Sequence, residues 1–510
     1  MKKNSIIKST AIVTVMALMT KVIGFFRDWL IVYKFGVDVQ TDAYKIAASI
    51  PDTIFVIIGL AISTAFLPIL SRIKVKRNTD EMHRFANNIV NNLLIISLAI
   101  FCVASFFPDK IVSVLTDGGN TNPETIKIAI ELTKITLLNI LFLSINACFT
   151  ALLQVHEDFV IPSILGLFFN LPIILYLMIF RDFNVYGLTI ANVIGNLLRV
   201  LVQVPSLKKH GYKYKFFIDV KDKNVQRMII LIIPVVIGAG ANSINMVIDK
   251  KIASGLATGA VTTLDNAQLL ITFINTAVTT SITNVIYPIL ANRINEGKNK
   301  EFLNLLSKTL IYLGIFLVPI SIGVAIYSRE IIEFVFAKAY SSEGIITLAA
   351  AALLGYSLGI FFTGIRDLLN STLFSMGKTK VTAFNGIIGV VVNITFSIIL
   401  SRKIGIIGIS LASSISMIVT SLLLLISIVK LQGKLDVKPL FIKMSKVLTA
   451  GVVMAIVVFF IYKKSLNINI MLQLLLGGSI GAVVYFVSIY LLKLDEVMEV
   501  VDMIRKKINV

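Results

Sequence analysis

The chain of 510 residues is 56% hydrophobic and only 15% charged, with a mean hydropathy of +0.89, whereas soluble domains carry about 25% charged residues. Those values exclude a soluble enzyme or binding domain. The net charge of +20 would point to nucleic acid in a soluble chain, but polytopic membrane proteins gather Lys and Arg in cytoplasmic loops, so no nucleic-acid partner is expected.

Lys2 and Lys3 before an apolar stretch look like the start of a signal peptide. The stretch is long, however, contains Lys21 and Arg27, and lacks a small-residue cleavage site. It reads as a retained first helix over about Ile6 to Val32. Gly24, Arg27 and Asp28 fall near one face of it, with Lys21 under two turns earlier. An ionisable group at bilayer depth costs roughly 2.5–3.5 kcal/mol. Several in neighbouring helices are tolerable around a polar, water-filled cavity, which suggests a carrier for something charged. The planar fork of Arg27 suits a diphosphate, to which it donates bidentate hydrogen bonds. A structural pair with Asp28 or Asp42, or snorkelling from a helix end, is the other use.

The second span opens with Thr41-Asp42-Ala43-Tyr44-Lys45, passes Pro51-Asp52 and ends in Phe66-Leu67-Pro68-Ile69-Leu70. Asp42 and Lys45 are spaced i,i+3, as cavity charges or as a helix-start ion pair. Pro51 lacks an N–H and loosens the ladder. Asp52 beside it either pairs with Lys21 or Arg27 or takes a proton or cation.

Later spans are thinner in charge. Cys102 and Cys148 lie in apolar runs and read as small core residues, while His83, His156 and His210 fall in or beside loops without metal-ligand spacing. Glu131 with Lys134, and Arg366 with Asp367, read as structural pairs. Asn242, Asn245 and Asp249 form one polar stripe on the seventh helix. It is either a site for a coupling cation or a hydrogen-bonded seam between helices. No metal, catalytic residue or cofactor is expected, since H-E-x-x-H, G-x-S-x-G and Walker A sequences are all absent.

The fold class is therefore an all-α polytopic membrane protein with about fourteen transmembrane helices. Basic residues concentrate in alternate connections, including Arg72 to Arg84 and Lys208 to Arg227, which places both termini in the cytoplasm of a cell-membrane protein. The chain also repeats itself. Ala65-Phe66-Leu67-Pro68-Ile69-Leu70 resembles Val285-Ile286-Tyr287-Pro288-Ile289-Leu290, Val185-Tyr186-Gly187-Leu188 resembles Ile406-Ile407-Gly408-Ile409, and Asn170 matches Asn393. These offsets of about 220 residues make two parallel six-helix lobes, a build that puts substrate between the halves. The expected division is an N-lobe at 1–206, a basic linker at 207–226, a C-lobe at 227–430 and two further helices with a tail at 431–510.

Lys21-Val-Ile-Gly24-Phe-Phe-Arg27-Asp28, Thr41-Asp42-Ala43-Tyr44, Pro51-Asp52 and Phe66-Leu67-Pro68-Ile69-Leu70 resemble the MurJ (MviN) lipid II flippases of the multidrug/oligosaccharidyl-lipid/polysaccharide exporter superfamily. The resemblance implies a cationic cavity lined by helices 1, 2, 7 and 8, and an apolar groove for the lipid tail on helices 13 and 14. It also implies transport of undecaprenyl-diphosphate-linked peptidoglycan precursor from the inner to the outer leaflet by alternating access. Arg27 and Lys21 would bind the diphosphate, with Asp28, Asp42, Lys45 and Asp52 as cavity charges. Where the family has a basic pair and Glu-Gly in helix 2, this chain has Phe55-Val56 and Leu60-Ala61, and near the helix-8 arginine it has Gln268-Leu269. The expected partners are a polyprenyl-diphosphate-linked glycan and membrane lipids, with a monomer as the working unit and coupling to Na+, H+ or membrane potential. The alternatives are a flippase for another polyprenyl-diphosphate-linked saccharide (capsule, exopolysaccharide or teichuronic-type) and a cation-coupled drug antiporter.

Overall fold

The computed structural model describes the backbone of residues 3–508 apart from 337–339, 341, 434–436 and 466–467. The side chains of 3–14, 17–18, 55–57, 60–61, 63–64, 231, 233–243, 284, 288, 291, 295, 437, 500 and 503–508 lie outside the described set. Among the described residues every regular element is helical, because a helix meets its own backbone hydrogen bonds inside lipid. Nine helices among the described residues are long and apolar enough to cross a membrane. Eleven spans result when the bent pairs Pro123–Thr136 with Asn139–Val155 (43°) and Glu343–Ser357 with Ile360–Ser375 (48°) each count once. The expected count is three higher. Lys3–Phe35, Val39–Ala61 and Lys223–Ser254 have 33, 23 and 32 residues, which is crossing length. Their charges or undescribed side chains keep them out of that count.

The chain divides into two compact units, Met1–Thr262 and Thr263–Val510. The first holds α1 (Lys3–Phe35), α2 (Val39–Ala61), a π-helical turn (Ile62–Phe66), α3 (Leu67–Lys76), α4 (Thr79–Phe106), α5 (Pro108–Leu115) and α6 (Pro123–Thr136). It continues with α7 (Asn139–Val155), α8 (Val160–Ile179), α9 (Val185–Leu201), α10 (Val204–Lys209), α11 (Lys223–Ser254) and the first residues of α12 (Ala260–Asn275). α1 turns into α2 at Gly36, whose φ of 77° favours glycine. Asp38 then starts α2 with a capping box: its carboxylate accepts from the N–H of Gln40 (2.9 Å) and Thr41 (3.1 Å), and Thr41 Oγ1 accepts from the Asp38 N–H. Phe66, Leu70, Met82, Phe85, Leu152 and Met228 share one apolar core, which folds α11 in with α3, α4 and α7.

After α10 the expected basic linker becomes an extended segment gripped by asparagines of α4. Asn87 Nδ2 donates to the Lys213 carbonyl (3.0 Å), Asn91 Nδ2 to that of Lys215 (2.9 Å) and Asn88 Nδ2 to that of Asp219 (2.8 Å). These side chains stand in for a neighbouring strand, since an extended backbone must find partners somewhere. Glu131 does not pair with Lys134 as expected. It accepts a hydrogen bond from the Tyr186 hydroxyl instead, because α6 packs beside α9 and brings that phenol closer.

The second unit holds the rest of α12, another π-helical turn (Thr276–Thr280), α13 (Ser281–Asn295), α14 (Asn299–Ile326), α15 (Ser328–Phe336), α16 (Glu343–Ser357) and α17 (Ile360–Ser375). It ends with α18 (Thr379–Ile404), α19 (Ile406–Gln432), α20 (Val437–Lys464), α21 (Ile470–Leu491) and α22 (Asp495–Ile508). Small residues set its helix spacing. A Cβ on Gly355 of α16 would lie 2.0 Å from Ser410 Oγ, and one on Gly389 of α18 would lie 2.2 Å from Thr420 Oγ1. Ser414 Oγ donates to the Gly355 carbonyl and Ser416 Oγ to that of Gly389, both at 2.6 Å. Lipid is as apolar as the helices, so close backbone approach and hydroxyl hydrogen bonds hold them together. Arg366 pairs with Asp367 at 2.7 Å, as expected. Lys443 of α20 ties down α22 through Asp495 (2.9 Å) and Glu496 (2.8 Å).

Candidate functional site

Three helices of the first unit bring the site together. α1 carries Arg27 and Asp28, α2 carries Lys45 and Asp52, and α8 packs along α1. Arg27 Nη1 donates to Asn170 Oδ1 of α8 at 2.9 Å, and Nη2 donates to Asp28 Oδ2 at 2.6 Å. The guanidinium carbon also sits 5.1 Å from the centre of the Phe169 ring, a cation–π contact. Asp28 is buried and takes a second hydrogen bond from Lys45 Nζ at 3.2 Å. A carboxylate between two cations leaves a positive excess, and the Nε–H of Arg27 is buried without a partner. Guanidinium has five N–H donors, so donors remain for an incoming oxyanion.

Asp52 is solvent-accessible and feels the charges of Arg199, Arg27 and Lys250. It faces cations from three helices besides its own. Asp42 does different work. Buried, it accepts from the Gly259 N–H (2.7 Å), the Thr262 N–H (2.8 Å) and the Thr262 hydroxyl (2.7 Å). Those donors belong to the start of α12, where a carboxylate satisfies N–H groups that lack helical partners and opposes the helix dipole. Asp42 and Lys45, spaced i,i+3, each reach a different helix. Lys21 lies exposed on α1.

On α11, Asn245 Nδ2 lies 3.4 Å from Asp249 Oδ2, while the side chain of Asn242 falls outside the described residues, as do those of Phe55, Val56, Leu60 and Ala61. Lys250 is buried and donates to the Lys45 carbonyl at 3.3 Å. No group of three or more His, Cys, Asp or Glu placed to hold a metal occurs among the described residues.

Sequence reasoning passed over Arg199, Lys250 and the asparagine ladder behind them. Arg199 of α9 lies 4.1 Å from the centre of the same Phe169 ring and donates from Nη1 to Asn196 Oδ1 at 3.2 Å. Asn192 Nδ2 donates to the Tyr44 hydroxyl (3.0 Å), and Asn139 Nδ2 donates to Asn192 Oδ1 (2.9 Å). The usable signal was an arginine inside an apolar span, the same signal that exposed Arg27. Its closeness to the basic linker hid it. The three histidines, from distant parts of the sequence, also meet: His83 Nε2 lies 3.2 Å from His156 Nε2, and the His156 and His210 rings stack at 4.6 Å.

Comparison with known proteins adds an independent line. The family model described as "Lipid II flippase MurJ" matches residues 31–477. The chain is 27% identical over 426 residues to the lipid II flippase MurJ of Thermosipho africanus, covering 83% of this chain and 86% of that protein. It is 25% identical over 380 residues to a probable lipid II flippase MurJ of Buchnera aphidicola, covering 74% of each. A solved structure of lipid II flippase MurJ in an inward closed conformation superposes with a TM-score of 0.82 at 26% identity, covering 93% of this chain and 97% of that one. An inward-facing multidrug resistance MATE family transporter shares the fold alone, with a TM-score of 0.68 at 13% identity over 82% of this chain and 97% of that one. With its family model matched across residues 31–477, most of its length, the chain belongs to the MurJ lipid II flippase family.

Proposed function

We propose that this chain is a lipid II flippase, carrying undecaprenyl-diphosphate-linked peptidoglycan precursor from the inner to the outer leaflet of the cytoplasmic membrane by alternating access. It acts as a monomer with both termini in the cytoplasm. One observation carries the reading: Arg27, within a membrane helix, is aimed by Asn170 and Asp28 yet keeps a buried, unpartnered Nε–H. A guanidinium so held is pre-organised for phosphate oxygens, which reduces the ordering cost of binding. Lys45 shares Asp28, weakening that carboxylate's claim on Arg27 and favouring exchange for substrate. Lys21 supplies a second, exposed cation on the same helix.

For the energy source, the carboxylate on α11, Asp249 beside Asn245, is the candidate for coupling to Na+ or H+, and the positive site would respond to membrane potential. Complementation tests the main reading. Expression in a strain depleted of its own lipid II flippase should restore growth and wall synthesis, and failure of the abundant, membrane-inserted protein to do so would refute it.

A further inference from the structure

Arg27 and Arg199 come from different helices and share one aromatic ring. Their guanidinium carbons lie 5.1 and 4.1 Å from the centre of Phe169. The approach is built in. Gly195, one turn before Arg199 on α9, lies so close to α8 that a Cβ would sit 2.4 Å from the Phe169 carbonyl oxygen. Any larger residue there would push Arg199 off the ring. Asn170 and Asn196, both buried, hold the two guanidiniums by their oxygens.

Two like charges brought together in a membrane interior repel, and the cost of each uncompensated charge is high. Asp52 is the carboxylate whose field both arginines share, with Lys250 as a third cation around it. Arg27, Lys45, Arg199 and Lys250 outnumber Asp28 and Asp52. The Nε–H groups of both arginines are buried and lack partners, a costly condition unless a ligand meets them.

We propose that Arg199 is a second phosphate-binding residue, so that Arg27 and Arg199, paired on Phe169, form a two-guanidinium clamp that takes one phosphoryl group each of a diphosphate. This rests on the flippase reading and deepens it: the site selects diphosphate over monophosphate lipids. Asp52 is the resident counter-ion that the ligand displaces.

The test is native mass spectrometry of the full-length protein with undecaprenyl diphosphate and undecaprenyl monophosphate as probes. The wild type should prefer the diphosphate. Arg199→Gln should weaken diphosphate binding by roughly tenfold and monophosphate binding by less than about twofold, as expected for the loss of one charge-assisted donor group. Arg27→Gln should weaken both. Arg199→Lys keeps the charge without the fork; it should lose part of the preference, and it serves where Arg199→Gln does not fold. Equal weakening for both lipids, or none for either, overturns the clamp while leaving the flippase reading in place. No binding of either lipid to the wild type overturns both.

Discussion

Asn170 and Asn393 occupy matching places in the two sequence repeats, yet they have taken different partners. Asn170 accepts from Arg27, whereas Asn393 donates to the Ser413 hydroxyl at 2.9 Å. The same contrast runs through both units. The first spends buried amides on cations, on Tyr44 and on the linker backbone, and in the second Ser414 and Ser416 spend hydroxyls on helix backbones. On the proposed reading of Arg27, the sequence repeat serves recognition in the first unit and close packing in the second. The difference lies in whether the amide faces a guanidinium or a hydroxyl.

The sharpest way to break this contrast is to remove one arginine from each unit. Arg27→Ala should abolish complementation without lowering the amount of membrane-inserted protein. Arg366→Ala should leave growth intact, since that arginine pairs with its neighbour Asp367, whose side chain is 45% exposed. Growth supported by Arg27→Ala, or lost with Arg366→Ala, would remove the asymmetry. Next in size is Gly355→Leu, which drives a branched side chain into Ser410 of α19. Overpacking of this kind costs about 1–3 kcal/mol or more, so the yield of monodisperse protein in detergent should collapse, and activity should fall only as far as yield does. Asp42→Ala should follow. It strips buried donors at the start of α12 of their acceptor, at about 2 kcal/mol for groups left unsatisfied. A lowered Tm checks that, and an unchanged one would show that the cap is dispensable.

Much of this organisation was legible in the sequence. Apolar runs, the repeat and the charges of the first two helices follow from composition and spacing, because lipid punishes misplaced charge and the chain shows where it was accepted. Arg27 stood out for that reason. Three-dimensional approach was not legible. Whether Asp42 would pair with Lys45 or cap α12, whose first residues lie more than two hundred positions away, depends on helix packing that no local spacing encodes. Arg199 was hidden by its place at a helix end, where snorkelling is the ordinary use. The gripping of the linker by Asn87, Asn88 and Asn91 was likewise invisible, since asparagines in a helix have no single partner that their pattern specifies.

The smallest effect concerns pH, and it too separates the units, because all three histidines of the chain belong to the first. Burial, then Lys74, His210 and His83, push the His156 pKa down from 6.5 to about 4. The folded ring therefore stays neutral in a range where the unfolded chain takes up a proton. Stability from this group is fully present above about pH 6.5 and is lost as pH falls towards 4, since the unfolded state then binds more protons. In the tautomer in which His156 Nε2 accepts from His83, protonation would make both facing Nε2 atoms donors and break the contact, while Lys74 and the His210 ring add repulsion. Asp158, 3.7 Å from His210 Nε2, offsets only part of that. Because water reaches much of the ring, the loss by pH 5 should be about 1 kcal/mol rather than the full linkage value. Thermal melts between pH 7.5 and 5 should show Tm falling in the wild type and a flatter profile in His156→Gln. An equal slope in both would place the pH sensitivity outside the histidine cluster and erase that difference between the two units.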